Sequence, residues 1–245
     1  MLATRFPEKG ELKMNFRRFI IIALTVFSAL PVLAQTSNRT TVWKEIESLR
    51  EQIKARENVL LEPAAEDRAA YAQFLQQPDT GLIRLLPREK YDNKLTLRGG
   101  GAFYSFNRLT HEHGYGSDMM LEQGYLSVGL AGANYGMIVK LGDIRIEDVT
   151  LENSIVQHLA GHKPPTTEPE ARIEQRRTGE DSMKKDAVYK SRITAIAGNT
   201  YVLRSIDYDR SDMLVAFKIV RQDDDDSLIL AWKLLKKFPT PRLER

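Results

Sequence analysis

Two segments near the C-terminus, residues 213–221 and 227–235, are apolar at most positions, and they constrain the fold more than any other feature. A strand places alternate side chains on opposite faces of its sheet, so both segments are apolar on both faces. Strands of this kind must be covered on both sides. We expect the cover to come from the earlier β region, from N-terminal helices or from a second copy of the protein.

The C-terminal region is predicted to form strands separated by strong turn signals. Gly198-Asn199 marks the first turn, and two aspartate-rich segments mark the next two. The predicted strands are residues 187–197, 200–207, 213–221 and 227–235.

The middle of the chain, residues 94–151, is rich in glycine, tyrosine and alternating apolar residues. This composition predicts strands at 102–109, 121–130 and 137–141. We therefore predict an α+β fold in which β-structure dominates. N-terminal helices are followed by antiparallel sheets packed as a roll or sandwich, and the chain ends in a four-strand meander.

A helix is predicted from Trp43 to about Arg56, with Thr40 and Thr41 as N-cap residues. One face of this helix carries an apolar stripe at spacings of four, three and four residues, formed by Val42, Ile46, Leu49 and Ile53. The stripe predicts either docking on the protein's own sheet or a homo-oligomer. A second helix is predicted at residues 64–77, between Pro63 and Pro78.

Residues 14–34 have the features of a secretory signal peptide, with Met14 as the expected start. Arg17 and Arg18 precede an uncharged apolar run, and small residues end it. We expect cleavage near Ala34 and a secreted protein, periplasmic or extracellular. An uncleaved membrane anchor is the alternative, but the run is shorter than the roughly 20 residues that a spanning helix needs.

Composition excludes several function classes. The chain is cysteine-free, which excludes thiol catalysis, disulfides and thiolate metal sites. The leader holds five of the 36 basic and two of the 33 acidic residues, so the mature chain has 31 of each. A net charge near zero argues against nucleic-acid binding, which needs a concentrated positive surface.

These features divide the chain into five predicted parts. The segment at 163–186 is charged, contains prolines and is typical of a flexible linker or long loop, with a short helix possible near 168–177. The parts are the leader at 1–34, a helical segment at 35–78, a Gly/Tyr-rich β region at 79–162, the linker at 163–186 and the meander at 187–245.

His111-Glu112-His113 is the local cluster with metal-ligand chemistry. On a strand, residues two apart point to one side, so His111 and His113 could share a divalent ion with Asp118. The flanking glycines favour the alternative, a solvated turn. Two acidic segments, 207–212 and 223–226, could hold calcium, or could be polar hairpin tips.

Aromatic residues are dense in the middle region. Tyr104, Tyr115 and Tyr125 could form a ligand-binding face, although alternating aromatic residues on strands also form cores. The glycine-rich segment 98–101 could present backbone N–H groups to an anion, or mark a close backbone approach.

The sequence contains no complete catalytic motif and predicts no cofactor. We expect an exported, non-enzymatic β-rich protein with a binding, assembly or envelope-associated role. The alternatives are a metal-dependent hydrolase centred on His111 and His113, and a homo-oligomer formed through Val42, Ile46, Leu49 and Ile53.

Overall fold

The computed structural model describes residues 16–111, 113–114, 116–179, 182–184 and 187–244, with side chains from residue 38 onward except at 182–184 and 187. The fold is α+β, as predicted, but the expected dominance of β-structure is wrong, because helices and strands hold about equal numbers of the described residues. The helices are α1 Phe16–Leu61, α2 Ala65–Ala70, α3 Arg88–Tyr91, α4 Ser154–Gly161 and α5 Glu168–Gly179. The strands are β1 Thr80–Leu85, β2 Phe103–Tyr104, β3 Met119–Glu122, β4 Tyr125–Ser127, β5 Tyr135–Gly142, β6 Ser182–Lys184, β7 Ala187–Lys190, β8 Arg192–Thr194, β9 Thr200–Asp207, β10 Ser211–Gln222 and β11 Leu228–Lys237.

Two antiparallel sheets organise the chain after α1. The large sheet has seven strands in the order β1-β11-β10-β9-β5-β7-β6, and the small sheet has four in the order β2-β3-β4-β8. The long strands β9, β10 and β11 are consecutive neighbours in the centre of the large sheet. Phe217 of β10 lies opposite Trp232 of β11 and Tyr201 of β9.

The small sheet and its connections cover one face of the large sheet. Burial of apolar surface between the two layers forms the main core, at about 25 cal/mol of stabilisation per Å² removed from water. The small sheet and its connections contribute Tyr104, Phe106, Met119, Leu121, Leu126 and Val128, and the large sheet contributes among others Ile138, Leu203, Val215, Phe217 and Trp232.

Helical segments cover the opposite face of the large sheet. They are α4 and two short 3₁₀ turns, Phe74–Gln76 and Ile146–Asp148. Their buried side chains Phe74, Ile146, Val156 and Leu159 belong to one cluster with Val202, Leu214, Ala216 and Ala231 of the central strands. The central strands are thus covered on both faces, as their sequence predicts.

A buried ion pair fixes α4 to the large sheet. Arg204 of β9 and Asp212 of β10 are each 1% exposed, and two hydrogen bonds of 2.8 Å join their side chains. Arg204 also donates to the carbonyl oxygens of Leu159 and His162 at the end of α4, at 2.6 and 2.7 Å. The guanidinium therefore satisfies carbonyl groups that a helix end leaves without partners.

The predicted four-strand meander is corrected to three consecutive strands. The segment predicted as one strand at 187–197 is divided at Ser191 into β7, in the large sheet, and β8, in the small sheet. The neighbour of β9 is β5 instead, which pairs with it from Tyr135 to Gly142. Strand β5 is longer than β7, so it can pair with β9 over more residues. It also places apolar side chains on both faces of the sheet.

The middle strands are shorter than predicted. The expected strand at 121–130 is a hairpin, because Gln123 and Gly124 both have positive φ values, 51° and 74°, and turn the chain between β3 and β4. Paired left-handed residues are typical of tight hairpin turns. The strand expected at 102–109 is reduced to the two residues of β2.

The segment at 163–186 contains α5 and β6. Ala171 of α5 is fully buried and lies in one cluster with Tyr135, Ile206 and Tyr208. Strands that precede and follow this segment pair within the same large sheet. The predicted helix at 64–77 is observed as α2 followed by a 3₁₀ turn.

The chain divides into two compact units, Met1–Gln52 and Ile53–Arg245. Helix α1 extends well beyond the prediction, so Thr40 and Thr41 lie inside it rather than at its N-cap. Met14 and the side chains of the predicted signal peptide lie outside the described residues.

None of the helices in the described residues combines the length and apolar character that a membrane crossing requires.

Candidate functional site

A cavity with a mixed polar and apolar lining lies at the end of β9, where three loops meet that strand. Its volume is about 250 Å³. We call it the Arg98 cavity, and its polar side chains come from Arg98, His113, Ser117, Asn134, Ser205 and Asp207.

Close backbone packing positions the first two loops. The His113 amide donates to the carbonyl oxygen of Arg98 at 3.0 Å, and the His113 ring lies 4.1 Å from the ring of Phe103. A Cβ atom on Gly99 would lie 2.6 Å from Phe103 and 2.7 Å from His113, and its φ of 84° also favours glycine. The glycine run in the sequence therefore marks a close approach next to the cavity.

Asn134 ties the third loop to the end of β9. Its side-chain amide donates to Asp207 at 2.5 Å, and its oxygen accepts from the Tyr208 amide at 3.0 Å. Arg210 donates to the same Asp207 oxygen at 3.4 Å. Burial raises the pKa of Asp207, and the neighbouring Arg210 charge opposes that rise.

Asp118 lies beside the cavity wall and is completely buried. One carboxylate oxygen, Oδ2, accepts from the Phe106 amide at 2.8 Å, while Oδ1 accepts no hydrogen bond of normal geometry from any described residue. Burial raises the pKa of Asp118 to about 6, and the nearby Ser205 hydroxyl opposes the rise. The buried carboxyl therefore titrates near pH 6 rather than near pH 4.

Ser117 has a structural role in its turn. Its hydroxyl donates to the Gly114 carbonyl oxygen at 3.0 Å and accepts from the Gly114 amide at 3.2 Å. A catalytic serine needs a general base that accepts its proton instead. These two hydrogen bonds close the turn between Gly114 and Ser117.

The two histidines of the predicted metal cluster line different cavities. His111 lies at a second cavity of about 540 Å³, next to the end of α1, whereas His113 lies at the Arg98 cavity. His111 Nε2 donates to the Arg84 carbonyl oxygen at 2.9 Å, and burial lowers its pKa to about 4. Burial also lowers the pKa of His113. Glu112 lies outside the described residues.

Within the described residues, no three histidine or acidic side chains converge on a point that could hold a metal ion. The structure therefore does not bring His111, His113 and Asp118 together as one ligand set.

Asp223, Asp225 and Asp226 of the segment 223–226 pair with basic and hydroxyl groups of the protein. Arg84 lies 3.3 Å from Asp223 and 3.1 Å from Asp225. Asp225 also accepts hydrogen bonds from Tyr91 at 2.7 Å and from Ser227 at 2.5 Å. Burial raises the pKa of Asp225, but these hydrogen bonds outweigh it and hold the pKa at about 2. This acidic segment is a structural ion-pair cluster.

The predicted aromatic face is divided between core and surface. Tyr104 is 5% exposed and packs in the main core, where burial raises its pKa to about 12. Tyr125 is 40% exposed, and the Arg192 guanidinium lies 4.3 Å from the centre of its ring. Tyr115 lies outside the described residues.

Sequence reasoning considered Arg98 in the glycine-rich segment, and His113 with Asp118 as metal ligands, but did not identify Asn134 or Ser205. Neither residue stands in a motif, and each reaches the cavity through strand pairing between distant segments. A further unpredicted residue, Glu57, accepts hydrogen bonds from the Thr96 hydroxyl at 2.7 Å and the Leu97 amide at 3.2 Å.

Comparison with known proteins finds no matching family model, no similar curated protein and no similar solved structure. The function is therefore argued from the residues of this chain.

Proposed function

We propose that the protein is exported, acts without catalysis and assembles through α1 by pairing with a second copy of itself. The observation that carries this proposal is the exposure of the α1 stripe. Val42 is 45% exposed, Leu49 is 56% exposed and Ile53 is 43% exposed. A contiguous exposed apolar surface of this kind is typical of an interaction site.

The identities of the stripe residues favour a parallel two-stranded coiled coil. In a heptad, Ile46 and Ile53 occupy a positions, and Val42 and Leu49 occupy d positions. β-branched residues at a with leucine at d favour two parallel strands over larger bundles. Arg56 takes the next d position and ends the seam. A seam this short supports weak, reversible association.

Charges beside the stripe are complementary in this arrangement. Glu45 occupies a g position, and Arg50 occupies the following e position. In a parallel dimer these two positions face each other across the seam, so Glu45 of one copy would pair with Arg50 of the other in both directions. Both side chains are exposed.

The self-association is tested by sedimentation of Ile46→Glu/Leu49→Glu. We expect the wild-type protein to show a concentration-dependent dimer and the variant to be a folded monomer. The matched control is Ser48→Glu/Ala55→Glu, which adds the same charge at exposed positions away from the seam. A wild-type protein that stays monomeric at high concentration would disprove the assembly proposal.

The parallel register is tested by exchanging the flanking charges. Glu45→Arg and Arg50→Glu should each weaken the dimer, because like charges then face each other. The double variant should restore association. If it associates no better than either single variant, the parallel arrangement is incorrect.

Export is tested separately by N-terminal sequencing of protein recovered from outside the cytoplasm. The sequence should begin within a few residues of Gln35. Soluble cytoplasmic protein that retains the whole leader would contradict export and leave the dimer proposal intact.

A further inference from the structure

A groove lies between residues 160–166, at the end of α4, and residues 238–242, which follow β11. We call it the Phe238 groove. Its volume of about 500 Å³ is within the roughly 300–1,000 Å³ of pockets that hold small ligands. Its lining is mostly apolar and includes an alanine, an aromatic ring and four prolines, which are Ala160, Pro164, Pro165, Phe238, Pro239 and Pro241. Because proline lacks an N–H group, these walls offer a ligand apolar ring surface and few backbone donors.

Hydrogen bonds hold the walls of the groove in place. The Asp209 amide donates to the carbonyl oxygen of Pro241 at 2.9 Å. The Glu244 amide donates to the carbonyl oxygen of Thr166 at 2.6 Å, and this bond joins the two walls at one end. The proline rings also restrict the backbone of both walls. The groove is therefore formed in the free protein, and a ligand does not have to order it.

The floor of the groove carries no net charge. It is the buried ion pair of Arg204 and Asp212, each of which is 1% exposed. The Arg204 guanidinium carbon lies 3.9 Å from the centre of the Phe238 ring, and the Phe238 amide donates to the Asp212 carbonyl oxygen at 2.9 Å. Since the two charges neutralise each other, the floor does not select a charged group of a ligand.

The mouth of the groove is positively charged. Lys163 and Arg242 line it and are exposed, and neither forms a hydrogen bond or ion pair with a described residue. Lys236 is close by, with its Nζ atom 4.8 Å from the centre of the Phe238 ring. Because the floor is neutral, these side chains set the field at the mouth, which favours an anion over a cation.

His162 adds a polar group to the lining without adding charge. Its Nε2 atom lies 2.7 Å from the Tyr135 hydroxyl oxygen. Burial and the nearby Arg204 charge lower the pKa of His162, so its ring is neutral at pH 7. The positive field of the mouth therefore comes from lysine and arginine side chains and persists at neutral pH.

We propose that the Phe238 groove binds a small amphiphilic carboxylate, with its apolar chain on the proline walls and its carboxylate at the mouth beside Lys163 and Arg242. Burial of the chain supplies most of the affinity. The two exposed cations select the sign of the head group and contribute less, since exposed ion pairs are weak. The volume corresponds to about 16 groups of roughly 30 Å³ each, which is enough for octanoate. The described lining residues all lie outside α1, so this proposal and the assembly proposal can fail separately.

The test is calorimetric titration of the purified protein with octanoate at pH 7. Octanoate should bind saturably at one site per chain. Acetate has the same head group without the chain, and it should bind at least about tenfold more weakly, equivalent to about 1.4 kcal/mol. Octylamine has the same chain with a positive head group, and it should bind about threefold or more weakly than octanoate, because the charges at the mouth repel it.

Two variants separate the apolar walls from the charged mouth. Phe238→Ser removes apolar surface and should raise the dissociation constant of octanoate by about tenfold, equivalent to about 1.4 kcal/mol. Its control is Ile196→Ser, at an isoleucine that is 42% exposed and outside the lining. Lys163→Met/Arg242→Met should remove the preference for octanoate over octylamine.

The control for the charge variant is Lys140→Met/Arg145→Met, which removes two exposed cations outside the lining. Thermal unfolding verifies that each variant is folded. If Phe238→Ser does not fold, Gly161→Phe replaces it, because a Cβ atom at this lining position meets no atom within 4 Å. The proposal is overturned if octanoate does not bind saturably, if acetate or octylamine binds as tightly as octanoate, or if the folded groove variant keeps the wild-type affinity.

Discussion

The strands β10 and β11 and the helix α1 carry comparable apolar patterns but differ completely in burial. Phe217 and Leu230 in the strands are fully buried, whereas Leu49 on the helix is 56% exposed. The strands have a sheet on one face and helical segments on the other. The comparison shows that sequence periodicity identifies an apolar face. Whether that face is buried depends on elements from other parts of the chain.

The first prediction concerns the buried side of this comparison. Phe217→Ala and Trp232→Ala should each lower the free energy of unfolding by about 3–5 kcal/mol, because both leave cavities in the main core. Denaturant unfolding measures the change. Lys237→Ala, at the exposed end of β11, is the control and should stay within about 0.5 kcal/mol. Losses below about 1 kcal/mol for both core variants would show that these strands are not the stability core.

The second prediction tests a charged pair inside the same sheet. Arg204→Met leaves Asp212 buried without its partner and removes the hydrogen bonds at the end of α4. The free energy of unfolding should therefore fall by about 3–5 kcal/mol. Arg145→Met breaks an exposed pair with Asp148 and should cost at most about 1 kcal/mol. Adding Asp212→Leu to Arg204→Met should recover part of the loss. If Arg204→Met and Arg145→Met lowered the free energy of unfolding equally, the Arg204–Asp212 pair would not be buried as described.

The third prediction uses the pH dependence of Asp118. Its pKa is raised from 3.8 to about 6, so the native state binds the proton more tightly than the unfolded state does. This contribution to stability is complete below about pH 4 and is lost as the pH rises to about 6, by up to about 3 kcal/mol.

Asp118→Asn should remove this loss, and the difference between wild type and variant should therefore change between about pH 4 and 6. Thermal unfolding across that range measures it. Asp148→Asn, at a side chain that is 61% exposed, is the control. A constant difference between wild type and Asp118→Asn would show that the carboxyl titrates normally.

The smallest effect is expected on the exposed side of the comparison. In the monomer, Ile46→Glu/Leu49→Glu should change the free energy of unfolding by no more than about 1 kcal/mol, since Leu49 is 56% exposed and Ile46 is only partly buried. Denaturant unfolding at low protein concentration measures this apart from dimer dissociation. Loss of folding would indicate instead that the stripe docks on the protein's own core.

Sequence reasoning predicted some elements of this fold closely. The strand predicted at residues 200–207 is β9, because a segment with four consecutive strand-forming residues, 200–203, lies between two clear turns. The segment 187–197 was predicted as one strand but serves two sheets. The alternation of apolar and polar residues in this segment is compatible with either sheet. Its division follows from the pairing of β5 with β9, which leaves β7 to pair with β5.

The candidate site was predictable only in pieces. The sequence suggests an anion site for the glycine-rich segment at Arg98 and a metal site for His113 and Asp118 together with His111. Asn134 and Ser205 carried no signal, because an isolated amide or hydroxyl is common in any chain. Their shared position follows from the pairing of β5 with β9, which joins Gly136 to Ser205.

The sequence by itself determined the α+β class, the two-sided burial of the central strands and the absence of thiol chemistry. These properties follow from the residue composition and from the local periodicity of apolar side chains, and neither depends on which distant segments come into contact. The tertiary structure decided which segments cover the sheet, which strands neighbour β9 and where the Arg98 cavity forms. Those outcomes depend on competition between segments far apart in the chain. The arrangement that buries the most apolar surface while pairing its buried hydrogen-bonding groups is the most stable.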